Sequence, residues 1–183
     1  MRKVLFLFGQ LNDDDVEWML GAGTKRFVPA SCVLIEQGVL MDSVFILLEG
    51  RLAVWLRPRR GPEREIARLN AGEIVGEMSF VDARPPSATV KALEESTVFA
   101  ISKTALNAKL AADQGFGARF YRALAIYLST TVRERHRALG YDTGEAEREE
   151  GEDDADELDS NVLDGVYLAG ERFDRMVKRV MVT

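Results

Sequence analysis

The stretch Ala71–Ala92, AGEIVGEMSFVDARPPSATVKA, decides how the chain is read. Its front half has the residue types of a loop that cradles a ligand. Gly76 lets the backbone pass close to a bound molecule without a β-carbon in the way. Glu77 is a short-reach hydrogen-bond acceptor, and the amides of Met78 and Ser79 are placed to open a helical turn whose N–H groups suit an anion. The back half, Ser87-Ala88-Thr89-Val90, passes from small residues into a β-branched run that starts a strand, with Val90 facing a core. Between the halves stands Arg84-Pro85-Pro86, a cation followed by two residues that have no backbone donor.

Outward from this stretch, residues from about 26 to 101 form short apolar runs bounded by Gly, Pro, Asn and Asp, such as FVPASCVLIEQG, VFILLEGRLAVWLR, REIARLNAGEIVG and ATVKALEESTVFAIS. Runs of this length, rich in Val, Ile, Leu and Phe and punctuated by turn residues, predict a compact all-β barrel or jelly roll. Within it, Phe45–Leu48 and Leu52–Trp55 read as two strands of a hairpin turning at Glu49-Gly50. RPRRGPERE, residues 57–65, reads as a charged hairpin tip. Helices flank the roll. Asp13–Gly21 has acids in its first turn and a glycine at its end. Ser102 caps a short helix carrying Leu106, Leu110 and Ala111. A long helix follows from about Gly115 to Leu139, with Phe120, Leu124, Tyr127, Leu128, Thr131 and Val132 along one stripe. A last helix, 161–183, places Phe173, Val177 and Val180 on one face. The fold class is therefore mainly β with flanking helices: a double-stranded β-helix or jelly-roll barrel, a long helix after it, and an appended terminal helix.

The formal charge of −6 is unevenly distributed. Glu145–Asp159 carries ten acids and one arginine, a net −9, which leaves +3 for everything else. Such a run buries almost nothing and reads as a solvated linker, 140–160. It also disfavours contact with a nucleic-acid backbone. No apolar run approaches the roughly 20 residues of a membrane span. MRKVLFLFGQL has too short an apolar run for a signal peptide and no cleavage site after it, so a cytoplasmic location is expected. Cys32, the one cysteine, fits a reducing compartment and reads as a small buried hydrophobe. His136, the one histidine, lies far from it in sequence, so neither metal ligation nor a Cys–His pair is expected. No nucleophile, base or metal set emerges, and the chain reads as a non-enzyme without a cofactor.

The order of elements, FILLEGRLAVW and above all AGEIVGEMSFVDARPPSATVKA resemble the cyclic-nucleotide-binding domain family, which includes catabolite-activator-type regulators, kinase regulatory subunits and nucleotide-gated channels. The resemblance runs from about Leu7 to Leu139 and implies a ligand-binding domain over 1–139 (roll 26–101, helices 103–139). It implies a cyclic nucleotide, cAMP or cGMP, as ligand. Gly76, Glu77, Met78, Ser79, Arg84, Ser87, Ala88 and Thr89 would form the site, Glu77 accepting from the ribose 2′-hydroxyl and Ser87 and Ala88 facing the phosphate. One departure stands out. Alignment of Ala88-Thr89-Val90 with the family's strand places its phosphate-binding arginine at Pro86. Losing one charge-assisted hydrogen bond of about 1.5–3 kcal/mol weakens binding about tenfold to more than a hundredfold.

Two readings follow. In the first, the chain is a stand-alone regulatory protein that binds a cyclic nucleotide or related anion, with Arg84 swinging in or with serine and backbone amides sufficing, and relays binding through the long helix in signal transduction. In the second, the pocket is degenerate, and the protein is a scaffold that dimerises and docks a protein partner. The long helix, about 116–139, is the expected homodimer seam. The terminal helix has an apolar face with nothing local to cover it, which can fold back on the roll, cap the pocket or bind another protein. The resemblance also implies that a DNA-binding helix-turn-helix would follow the long helix. An acid run and one helix stand there instead, so no DNA binding is expected.

Overall fold

The computed structural model describes residues 4–138 and 160–182. The described residues form eight strands in two antiparallel four-stranded sheets with six helices around them. The expected linker, 140–160, lies almost wholly outside the described residues. In chain order the elements are α1 (Val4–Gln10), α2 (Asp13–Ala22), β1 (Gly23–Val28), β2 (Val33–Ile35), β3 (Ser43–Glu49), β4 (Arg51–Leu56), β5 (Arg64–Asn70), β6 (Ile74–Val75), α3 (Glu77–Val81), β7 (Thr89–Ala92), β8 (Ser96–Ser102), α4 (Lys103–Ala112), α5 (Gln114–Ala138) and α6 (Ser160–Val182). One sheet runs β1-β8-β3-β6 and the other β2-β7-β4-β5.

Strand alternation sorts the core into two layers. In β3 the side chains Phe45 and Leu47 enter the space between the sheets, together with Leu52, Val90, Val98 and Ala100. Val44, Ile46 and Leu48 point the other way, into a layer built with Phe99, Ile101 and the helices. A strand buried on both faces reads as an unbroken apolar run, which is what SVFILLE is. The expected hairpin of β3 with β4 is not formed. β3 pairs with β6 and β8, whereas β4 pairs with β5 and β7, so the chain changes sheets between them. Gly50 turns this corner at φ 91°, where a Cβ would stand 2.6 Å from the Glu95 carbonyl oxygen. That conformation suits glycine. The hairpin at the RPRRGPERE tip does form, as β4 against β5.

The helices complete the second layer. Asn12 and Asp15 cap α2 reciprocally: the Asn12 side chain accepts from Asp15 N at 2.8 Å, and Asp15 Oδ2 accepts from Asn12 N at 2.9 Å. Ser102 caps α4. In α5, Phe116, Phe120, Ala123, Leu124 and Tyr127 are buried, whereas Tyr121 and Val132, on another face, are about half exposed (48% and 50%). The single stripe expected from the sequence therefore divides into a packed face and an open one.

The two terminal elements pack together. Val4–Gln10 of the MRKVLFLFGQL segment form α1, and Leu7, Phe8 and Leu11 are core residues. α6 lies against α1, burying Ala169, Phe173, Met176 and Val180. From residue 168 onward its buried apolar residues are thus covered within the chain, and the helix folds back, one of the three arrangements anticipated above. Arg172 donates to the Phe8 and Leu11 carbonyls at 2.9 and 2.7 Å, satisfying acceptors at the C-terminal end of α1. Cys32 is exposed, not buried. No described helix is long and apolar enough to cross a membrane.

Candidate ligand site

The stretch Ala71–Ala92 folds as strand β6, a left-handed turn at Gly76, helix α3, an irregular loop and strand β7. Gly76 has φ 88°, and a Cβ there would lie 2.5 Å from Met41 Cε and 3.3 Å from the Ser43 carbonyl oxygen. Glycine is required by this backbone as much as by any ligand. The turn of α3 is closed by Phe80 N donating to the Gly76 carbonyl (3.1 Å) and Asp82 N to the Met78 carbonyl (3.0 Å).

A cavity of about 420 Å3 opens between this loop, β5 and α5. Gly76, Glu77, Met78 and Ser79 line it from one side, Ser87 and Ala88 from another, and Tyr127 and Thr131 of α5 from a third. Six of the eight residues singled out in the sequence therefore meet around one space. The remaining walls are apolar, among them Ile35, Val54, Leu69, Val75 and Val90. A volume of this size with apolar walls and a few polar groups is what small-ligand sites offer.

Arg84 and Thr89 are placed elsewhere. The Arg84 side chain is 82% exposed; its backbone N donates to Asp82 Oδ1 at 3.0 Å and its Nε stands 4.0 Å from Asp82 Oδ2. The neighbouring aspartate and the two prolines hold this segment so that the guanidinium faces water and not the cavity. Pro86 lines the cavity where the aligned arginine would stand. Thr89 is buried, and its Oγ1 accepts from Gln37 N at 3.1 Å. Its hydroxyl is a clamp on the preceding turn, joined by Gly38 N donating to the Pro86 carbonyl at 2.8 Å.

Several residues not singled out in the sequence complete the site. Arg68 of β5 lines the cavity, but 65% of its side chain is in water and its Nε donates to Glu65 Oε1 at 2.6 Å. Glu73 lines it too. Thr131 Oγ1 is buried without a hydrogen-bond partner among the described residues. The Tyr127 hydroxyl donates to the Ile74 carbonyl at 2.9 Å, two residues before Gly76, and so fastens α5 to the start of the loop. Lys103 Nζ donates to the Ser79 carbonyl at 3.0 Å from behind α3; burial lowers its pKa, against the raising effect of Asp42 and Asp82. Alternation along β5 could have placed Arg68 and leaves its role open; Lys103 and Glu73 carry no local signal. No cluster of three metal-ligating side chains occurs among the described residues.

Residues 25–113 match the profile of the cyclic nucleotide-binding domain. The cyclic AMP receptor protein of Thermus thermophilus is 30% identical over 95 residues, covering 52% of this chain and 44% of that protein. The cAMP-dependent protein kinase regulatory subunit of Blastocladiella emersonii is 26% identical over 136 residues, 72% of this chain and 34% of its own length. The crystal structure of a cyclic nucleotide-binding domain from Methylobacillus flagellatus superposes with a TM-score of 0.69 at 25% identity, covering 79% of this chain and 85% of that one. The chain spans less than half the length of the curated relatives it matches.

Proposed function

Since the domain at residues 25–113 belongs to the cyclic nucleotide-binding family, we propose that this chain is a regulatory protein that senses a ligand of the cyclic-nucleotide class in the cavity and relays its presence through α5. One observation carries the reading: Tyr127 and Thr131 of α5 form a wall of the same cavity as Gly76–Ser79. A ligand in this space touches the loop and the helix at once. The Tyr127–Ile74 hydrogen bond couples the two even before it arrives.

Glu77 is the acceptor of the site in this reading. Calorimetric titration with cAMP and cGMP tests it. Glu77→Ala is expected to weaken whichever nucleotide binds by about tenfold or more, the loss of one hydrogen bond to a charged group, with the circular dichroism spectrum unchanged. No heat and no melting shift at millimolar ligand would sink the sensing reading for these nucleotides.

The second reading, a dimerising scaffold that binds no nucleotide, draws support from the outward Arg84 and from Pro86 in the cradle. Both readings share an α5 homodimer. Tyr121, Leu128 and Val132 recur at spacings of seven and four on this helix, and Tyr121 and Val132 are about half exposed. Such a seam suits helix pairing. Val132→Glu is expected to yield monomers by sedimentation while leaving the fold intact, because Val132 lies outside both cores; an unchanged sedimentation coefficient in a folded variant refutes the seam.

A further inference from the structure

Helix α3 passes to β7 through Asp82-Ala83-Arg84-Pro85-Pro86, a link fixed at both ends. Asp82 N donates to the Met78 carbonyl at 3.0 Å, and the Pro86 carbonyl accepts from Gly38 N at 2.8 Å. Between these points both prolines hold φ near −65°, and Pro85 disfavours the helical region for Arg84. Ala83 is therefore the joint at which Arg84 is aimed. It stands at φ 56°, a left-handed conformation that is unfavourable for a residue with a Cβ.

Asp82 holds the strained joint. Its Oδ1 accepts from Arg84 N at 3.0 Å, and its Oδ2 stands 4.0 Å from Arg84 Nε. Arg84 is thus rooted two residues from Pro86, which lines the cavity, while its guanidinium is 82% exposed. An ion pair this long and this wet is weak. A charge-assisted bond from the same guanidinium to a ligand anion is stronger. From this balance we propose that Asp82 is a positioning residue: it latches Arg84 outside the cavity and so sets the affinity for an anionic ligand, which draws the guanidinium away as Ala83 leaves the left-handed region. The proposal rests on the sensing reading and names the control of its site.

Calorimetry on the full chain with cAMP, cGMP and adenosine tests it. Asp82→Ala is expected to tighten binding of a cyclic phosphate by about threefold to tenfold, the worth of one exposed contact and one hydrogen bond. Adenosine affinity is expected to stay unchanged, because neither Asp82 nor Ala83 lines the cavity. Adding Arg84→Ala to Asp82→Ala should erase the gain. Asp82→Asn, which keeps an acceptor for Arg84 N but not the charge, should show part of it and decides the matter if the alanine variant does not fold. Ala83→Gly removes the penalty on the outward pose and should weaken the cyclic phosphate by about threefold. If native protein binds a cyclic phosphate and Asp82→Ala binds it no more tightly, or the gain survives the loss of Arg84 or extends to adenosine, the latch is overturned and the sensing reading stands. If Asp82→Ala binds and native protein does not, the latch stands and the sensing reading falls. If neither binds, both are overturned.

Discussion

Phe173→Ala is expected to cost about 3–5 kcal/mol of stability, the range for truncating a buried aromatic side chain. The ring is 1% exposed and sits 6.1 Å, centroid to centroid, from Phe8, with Met176 and Ala169 fully buried on the same face. The effect is large because α6 and α1 depend on each other. α1 has seven residues, too few to hold as a helix alone in water. It persists because α5 and α6 both pack on it and because Arg172 takes up two of its terminal carbonyls. Thermal unfolding should show one transition lowered by roughly 10 °C, from about 2–4 °C per kcal/mol for a chain of this size. If instead the main transition stays in place and a small separate one moves, α6 is an independent appendage and this packing argument fails.

The same packing bears on signalling. α1 touches both α5 and α6, so any displacement of α5 by a ligand is met by the terminal helix as well. In the sequence, the helix beyond the acid run could fold back, cap the pocket or meet a partner. The structure places its described residues in the core layer that includes the α5 wall residue Tyr127.

The fold was legible in the sequence where the signals are local. Alternating apolar runs, turn glycines and the Ser102 cap each act within a few residues, and each has its counterpart in the structure. That Gly76–Ser79 and Ser87–Ala88 meet around one cavity was legible for the same reason, since they lie within one short stretch. What could not be read is pairing at a distance. Gly50 announces a turn, and nothing nearby says whether the next strand returns beside β3 or crosses to the other sheet. Leu7 and Phe8 announce an apolar helix, yet their partner Phe173 is far along the chain. Arg84 could be placed within the loop but not aimed. Its direction depends on Asp82 and the backbone between them, with Ala83 at φ 56°, whereas Arg68 is brought to the cavity by the register of β5 on β4.

Asp15→Ala is expected to destabilise the chain by about 3 kcal/mol, the low end for breaking a buried ion pair. The carboxylate is 2% exposed and receives Arg119 Nε at 2.7 Å and Nη2 at 2.8 Å, joining α2 to the first turns of α5, while also accepting from Asn12 N. The low end applies because about a third of Arg119 remains in water and the freed guanidinium can hydrate. Asp15→Asn separates the two roles, since an amide oxygen still caps α2 but no longer neutralises Arg119. The pair also sets a pH dependence. Burial pushes the Asp15 pKa up, but the bonds from Arg119 and Asn12 outweigh it and the net shift is downward. Asp113, which accepts from Phe116 N and Lys109 at the same end of α5, is lowered as well. A carboxylate with a folded pKa below its unfolded value stabilises fully above the unfolded value, near 3.8, and that contribution is lost as pH falls through the folded one. The stability gap between native protein and Asp15→Asn should therefore be widest at neutral pH and narrow below about pH 4. Denaturant unfolding across that range measures it. A gap that is constant with pH would mean that the carboxylate's charge contributes nothing, leaving the foot of α5 held by capping and packing alone.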